Sequence, residues 1–166
     1  MTGAKAPTPS DFRGVMGRFA TGVAVMTTVD DGVPHGMTAN AITSVSLEPL
    51  LVLVSVERTA IMADLVVSSG VFALSFLTRE QRTLSDRFAD PDRPQGASQF
   101  AGVETFEAAT GSPLLDGSLA WLDCEVWAVH DGGDHLLVLG EVVAVAPGTD
   151  EEPLVYYRGG YQGLDS

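Results

Sequence analysis

Apolar and polar residues change their spacing several times along the chain, and each change marks an element. Phe12, Val15, Met16 and Phe19 fall at i, i+3, i+4 and i+7 behind Ser10. That is one face of a helix behind a capping residue. It predicts a short helix with one apolar face that ends near Gly22. Val23 to Val29 is apolar and β-branched, and Asp30-Asp31-Gly32 then turns the chain into a hairpin. From His35 to Ser55 the alternation is only partial. Thr38, Asn40, Thr43, Ser44 and Ser46 interrupt it, Glu48-Pro49 turns it, and an apolar strand runs from Leu50 to Val56. One face of this backbone is therefore not ordinary core. Small hydroxyl and amide groups beside free backbone N–H groups suit the edge of a flat polar heterocycle. A buried strand leading into a Ser-rich turn reads the same residues equally well.

Ala60 to Val67 predicts a helix with Ile61, Met62 and Leu65 inward and Gly70 as its stop. Val71 to Phe76 is a strand. Thr78 is placed to cap a helix from Arg79 to Phe88 that buries Leu84 and Phe88. Ala89 to Gly96 mixes prolines and glycine with charges and predicts a mobile loop. Ser98 to Thr110 has no clear period. Leu119 to Val129 alternates, with Leu122, Cys124, Val126 and Ala128 on one face and Trp121, Asp123, Glu125 and Trp127 on the other. Asp131-Gly132-Gly133-Asp134 turns the chain back into His135 to Val145, and Pro153 to Tyr157 makes a last strand. Short strands, hairpin turns and few helices predict a mainly β protein with added helices, closed or half-closed as an antiparallel barrel. No GxGxxG follows a strand, which disfavours a Rossmann fold.

Composition narrows the function. The 166 residues make one domain, 1–166, with 1–9 as a loose tail. No apolar run approaches the ~20 residues of a membrane span, and the N-terminus lacks a secretory pattern. The expectation is a cytoplasmic protein. Cys124, the single cysteine, alternates within a strand and reads as a buried apolar residue. It excludes an intrachain disulfide and a multi-cysteine metal site, so no metal ligand is expected. The net charge of −13, with one lysine and eight arginines, argues against nucleic-acid and anionic-membrane partners. An acidic chain must hold any anionic ligand with local arginines or helix N-termini.

GMTANAITSVSLEPLLVLVSV resembles the signature of the flavin reductase-like family. FRGVMGRFATGVAVMTT, SDRFAD, GDHLLVLGEV and PLVYYRGGY agree with it in the same order. The resemblance runs from Asp11 to Gly163. It implies an FMN-binding split β-barrel and an NAD(P)H:flavin oxidoreductase. Such an enzyme transfers a hydride from NADH or NADPH to FMN or FAD and supplies reduced flavin to a partner monooxygenase. It also implies a homodimer with the flavin near the subunit interface.

By the same resemblance, Thr38, Ala39, Asn40 and Ala41 lie against the flavin ring and ribityl chain, and Ser55, Val56 and Glu57 line the ribityl chain. Arg58 and Thr59 precede a helix where a phosphate would meet N–H groups, a hydroxyl and a guanidinium. A solvated surface charge is the other reading of Arg58. The family's serine is replaced here by Ala60. Arg87 and Phe88 belong to the SxRF element on the flavin's phosphate side, although Phe88 is also a natural core residue. Pro34, Gly36 and Met37, with Tyr157, Arg158, Gly159 and Gly160, are implied on the nicotinamide nucleotide. His135 is either a group on the nicotinamide side or a structural hydrogen-bond donor beside Asp134. The residues leave two alternatives open: a non-catalytic flavin-binding module, and a pyridoxamine-phosphate oxidase-like enzyme on a related barrel. FMN against FAD, and NADH against NADPH, stay unassigned.

Overall fold

The structure is a computed structural model describing residues 5–164. In chain order its elements are α1 (Pro9–Met16), β1 (Thr21–Gly22), β2 (Ala24–Asp30), β3 (Val33–Ala39), β4 (Ile42–Leu47), β5 (Leu50–Glu57), α2 (Ile61–Ser69), β6 (Val71–Phe76) and α3 (Arg82–Ala89). There follow β7 (Thr105–Phe106), β8 (Leu114–Leu115), β9 (Ala120–Gly132), β10 (His135–Pro147), β11 (Val155–Tyr157) and β12 (Gly160–Gln162). Seven strands form one antiparallel sheet in the order β3-β2-β6-β9-β10-β5-β4. Its two outermost strands, β3 and β4, are consecutive in the chain and joined by Asn40-Ala41 alone. Two residues cannot bridge a flat sheet of that width, since strands lie about 4.8 Å apart. The sheet must curl into a barrel whose seam is Asn40-Ala41. The expected mainly β barrel with added helices is the fold observed.

Period 2 fixes which residues fill the barrel. On β5, Val52, Val54 and Val56 are buried, while Leu53 and Ser55 are half-buried and Glu57 is exposed. Met62 and Val66 of α2 close the core over Met26, Phe72 and Leu74. Gly70 ends α2 in the left-handed conformation, its N–H bonded to Val66 O. Ile61, expected inward, is exposed. A second cluster joins Val23, Val25, Leu77, Phe88, Leu115 and Leu154 beneath α3.

Two sequence expectations are corrected. The first helix is shorter: Thr8, not Ser10, caps it in a reciprocal pair with Asp11, and it ends at Met16. Its apolar face is not buried, with Phe12, Val15 and Phe19 more than 60% exposed. The Ala89–Gly96 loop is anchored: Arg93 donates twice to Gly36 O at 2.9 and 3.2 Å, and once to Asp90 O at 2.8 Å. The face of β9 that carries Trp121 and Asp123 is covered by the segment after α3. Asp123 is fully buried there and accepts from Ala109 N, Thr110 N and Thr110 Oγ1 at 2.6–2.8 Å. Trp121 packs edge-on against Phe106. Cys124 is buried as expected, and burial followed by the Asp123 charge pushes its thiol up to about 12.

Two close approaches make glycine necessary. A Cβ at Gly36 would lie 2.6 Å from the Phe88 ring. One at Gly140 would collide with the Phe72 ring and lie 2.9 Å from Cys124 Cβ. The neighbours at Gly140 are core atoms with no room to retreat. Gly140→Ala is expected to destabilise the fold by about 1–3 kcal/mol, read as a lower urea midpoint at unchanged slope.

His35, also buried, sits beside this β3 segment. The Gln99 amide is fixed in orientation, because its Oε1 accepts from Gly36 N at 2.9 Å. Its Nε2 therefore donates to His35 Nδ1, also at 2.9 Å, and that nitrogen must be unprotonated. Burial first, and the nearby Arg93 charge second, lower His35 from 6.5 to about 4. The unfolded chain then binds the proton more tightly than the folded one. Stability from this group is whole above pH 6.5 and is lost as pH falls toward 4. The loss amounts to up to about 3 kcal/mol. Urea unfolding across this window should show that slope, and a His35→Asn variant should flatten it.

Candidate functional site

At the seam the β ladder stops, because β3 and β4 do not pair with each other. Opposite it, Ser55 N donates to Ala41 O at 3.0 Å and holds the seam against β5. A cavity of ≈ 600 Å³ opens here, lined by Asn40, Ala41, Ile42 and Thr43 from the seam and by Leu53 and Ser55 from β5. Met16, Phe19 and Arg13, around α1, and Tyr156 and Gly159, near the C-terminus, complete it. A second cavity of ≈ 1170 Å³ shares Arg13, Ala41 and Ser55 and adds Phe12, Glu57, Asp134 and His135. The two form one trough along the side-chain row Leu53, Ser55, Glu57. Small side chains at its base and aliphatic or aromatic ones at its rim leave room for a flat ring with polar edges.

Several expected site residues meet here: Asn40, Ala41, Ser55, Glu57 and His135 on the trough, and Gly159 at its border. Thr38, Ala39 and Asn40 line a smaller cavity of ≈ 200 Å³ with Tyr156 and Tyr161. Thr38 Oγ1 donates to Ser85 O at 2.6 Å, and Ser85 Oγ meets Tyr161 Oη at 2.7 Å, so this wall is tied to α3. His135 Nδ1 lies 2.7 Å from an Asp134 carboxylate oxygen while the ring lines the trough. The ring thus takes Asp134 as its hydrogen-bond partner and keeps a face on the trough. The hydrogen bond and the His135 charge hold Asp134 below the usual carboxylate range.

Other expected residues stand elsewhere. Val56 faces the barrel interior with no exposed surface, because its neighbours Ser55 and Glu57 take the trough face. Phe88 is equally enclosed, between Gly36 and the Phe100 ring at 5.2 Å. Neither side chain has a surface to offer a ligand. Gly36 has both backbone groups engaged, by Gln99 and Arg93, and Pro34 and Met37 flank it on β3, outside the trough lining. Thr59 Oγ1 is bonded to Glu57 Oε1. Arg87 donates to Ala101 O at 2.8 Å. Tyr157 carries the Arg158 guanidinium 5.1 Å from its ring centre, and Gly160 pairs with Tyr157 in the last hairpin.

Arg58 is also committed. Its Nε donates to Gly133 O at 2.7 Å and its Nη2 to Asp131 at 2.8 Å. The Gly133 N–H, and then Arg58, hold Asp131 below the usual carboxylate range. This fork clamps the β9–β10 hairpin tip that presents His135. Arg13, Thr21 and Tyr156 were missed in the sequence. The FATG piece contained Thr21, and its hydroxyl accepts from Asn40 Nδ2 at 3.1 Å.

Residues 16–165 match the family described as flavin reductase like domain. The chain belongs to that family. It is 42% identical over 164 residues to the reductase subunit HsaB of a flavin-dependent monooxygenase from Rhodococcus jostii, covering 98% of this chain and 81% of the relative. The structure superposes with a TM-score of 0.90 on BorF, the flavin reductase component of a bacterial two-component tryptophan halogenase. That match has 38% identity and covers 96% of this chain and 99% of BorF. The NADH:FAD oxidoreductase SgcE6 of Streptomyces globisporus C-1027 also superposes at 0.90, with 35% identity over 98% of this chain and 99% of its own. The barrel that closes at Asn40-Ala41 is therefore the fold of solved flavin reductases.

Arg58→Ala removes two bonds at an exposed site, with side chains 43% and 80% exposed. The expected stability cost is under about 1 kcal/mol by thermal denaturation. Because the guanidinium is already committed, FMN and riboflavin affinities should shift together; a loss confined to FMN would return Arg58 to the phosphate.

Proposed function

We propose that this chain is an NADH- or NADPH-dependent flavin reductase that reduces FMN or FAD and passes reduced flavin to a separate monooxygenase. The observation that carries it is the open trough at the barrel seam in a chain of this family. The relatives named above are reductase subunits or components of two-component systems. The residues fit a flavin: a base of Ala41 and Ser55 admits a flat ring, Leu53 and Phe19 give it apolar faces, and Asn40 and Thr43 offer polar atoms to its edge. A bound flavin supplies the hydride-accepting ring, and the nicotinamide supplies the hydride. The protein's work is then to bind and orient two ligands, which needs no nucleophile or metal.

Asn40 and the seam backbone orient the ring edge, and Ser55 meets the chain leaving it. His135, steadied by Asp134, stands at the far wall, where it borders the second ligand. Arg158 and Gly159 close the opposite side. The exposed apolar face of α1, with Phe12, Val15 and Phe19 at the trough rim, supports a homodimer in which a second copy covers the trough.

The decisive assay follows NADH absorbance with purified protein, with and without FMN, FAD or riboflavin, and repeats it with NADPH. Flavin-dependent oxidation is expected. Flavin binding by fluorescence quenching with no oxidation of either nucleotide would reduce the protein to a flavin-binding module.

A further inference from the structure

The eight arginines divide by what holds them. Arg58, Arg79 and Arg82 are in ion pairs, and Arg87 and Arg93 donate to backbone carbonyls. Arg13, Arg18 and Arg158 have no ion-pair partner among the described residues, although the chain carries 22 carboxylates. All three line one cavity of ≈ 560 Å³, which adjoins the trough at Arg13, Gly17 and Gly159.

Three like charges gathered around one cavity with no carboxylate in its lining cost free energy unless an anion joins them. The fold nevertheless builds the cluster. Arg158 sits at φ +51, in the left-handed region, followed by Gly159 at φ +77, and Arg158 N donates to Gly17 O at 2.8 Å. This turn carries the Arg158 side chain over Tyr157 and docks the C-terminal hairpin on the end of α1. An added Cβ at Gly14 or Gly159 would meet nothing within 4 Å, so that wall of the cavity is bare. Arg13 also borders the large cavity, which Asp11, Glu57 and Asp134 line, but no carboxylate lines the arginine cavity.

We propose that Arg13, Arg18 and Arg158 form the binding site for the phosphate groups of the ligands that enter the trough. This inference deepens the proposed function and rests on it. Guanidinium groups bind phosphate oxygens in paired hydrogen bonds, and an isolated cluster of them supplies the local attraction that an overall charge of −13 opposes. The phosphate comes either from the flavin or from the nicotinamide dinucleotide, and the same variants separate the two.

The test uses Arg18→Gln and Arg158→Gln, with Arg79→Gln as a control outside the site. Affinities for riboflavin, FMN and FAD are read by fluorescence quenching, and KM for NADH is read with riboflavin as acceptor. Each variant should weaken a phosphate-bearing ligand by about 10-fold or more, the scale of a charge-assisted contact. Riboflavin affinity should stay with the control. A loss for FMN and FAD assigns the site to the flavin phosphate; a rise in KM for NADH alone assigns it to the dinucleotide. Unchanged behaviour toward FMN, FAD and NADH, in an enzyme that turns over riboflavin, overturns the arginine site and leaves the proposed function standing. An equal loss for riboflavin also overturns it. A wild-type protein that neither binds nor reduces any flavin overturns the proposed function and this site with it.

Discussion

The closure of the sheet at Asn40-Ala41 is the constraint on which the rest of the structure depends. The chain passes from one edge of a seven-stranded sheet to the other in two residues. The strands must therefore curl, and the ladder must break where the edges meet. That break leaves a strip of wall unpaired in an otherwise hydrogen-bonded barrel. Register does the rest. Val52, Val54 and Val56 are committed to the interior, so Leu53, Ser55 and Glu57 are committed to the trough. A slip of one residue would put valines in the trough and a carboxylate in the core, which is why the pairing is strongly specified.

The wall beside the seam stands on polar networks as well as on packing. Gly36 admits the Phe88 ring, while Gln99 and Arg93 occupy its N–H and C=O. Thr38 is tied to Ser85, and Ser85 to Tyr161. Asp123 does the same for the outside of β9, gathering two N–H groups and a hydroxyl from the loop that covers it. A buried carboxylate so fully engaged leaves no polar atom without a partner, since each donor replaces a lost water. Segments without regular structure are therefore held as firmly here as the strands they cover.

Much of this was legible in the sequence, and the limits have physical causes. Strands and turns were visible because period 2 and the Asp-Gly and Gly-Gly turns are local signals. Asn40, Ala41 and Ser55 lie in a contiguous signature, and the structure brings them to one trough. The exposure of the α1 face was not legible, because spacing shows that a face is apolar, not what covers it. The burial of Asp123 was not legible either, because alternation places it opposite Cys124 but is blind to a loop folding over that face. The partners of Arg58 could not be read locally, because Gly133 and Asp131 lie more than 70 residues away. Arg13, Arg18 and Arg158 come together only through the docking of the last hairpin on α1, a long-range contact that no local pattern encodes.

That docking also reconciles an acidic protein with anionic ligands. Surface carboxylates repel such ligands at long range, but salt screens this repulsion within about 8 Å at physiological ionic strength. Arginines that touch the ligand act at contact distance and are screened far less. Repulsion outside and attraction inside suit a ligand that must enter, react and leave, because the same field that slows its approach lowers the cost of its departure. If the arginines were paired with the abundant carboxylates, the fold would gain little, since exposed ion pairs contribute about 0–1 kcal/mol. The site would lose the local charge that makes binding possible. Leaving these three arginines without an ion-pair partner among the described residues is thus a small sacrifice in stability for a local attraction that the rest of the surface opposes.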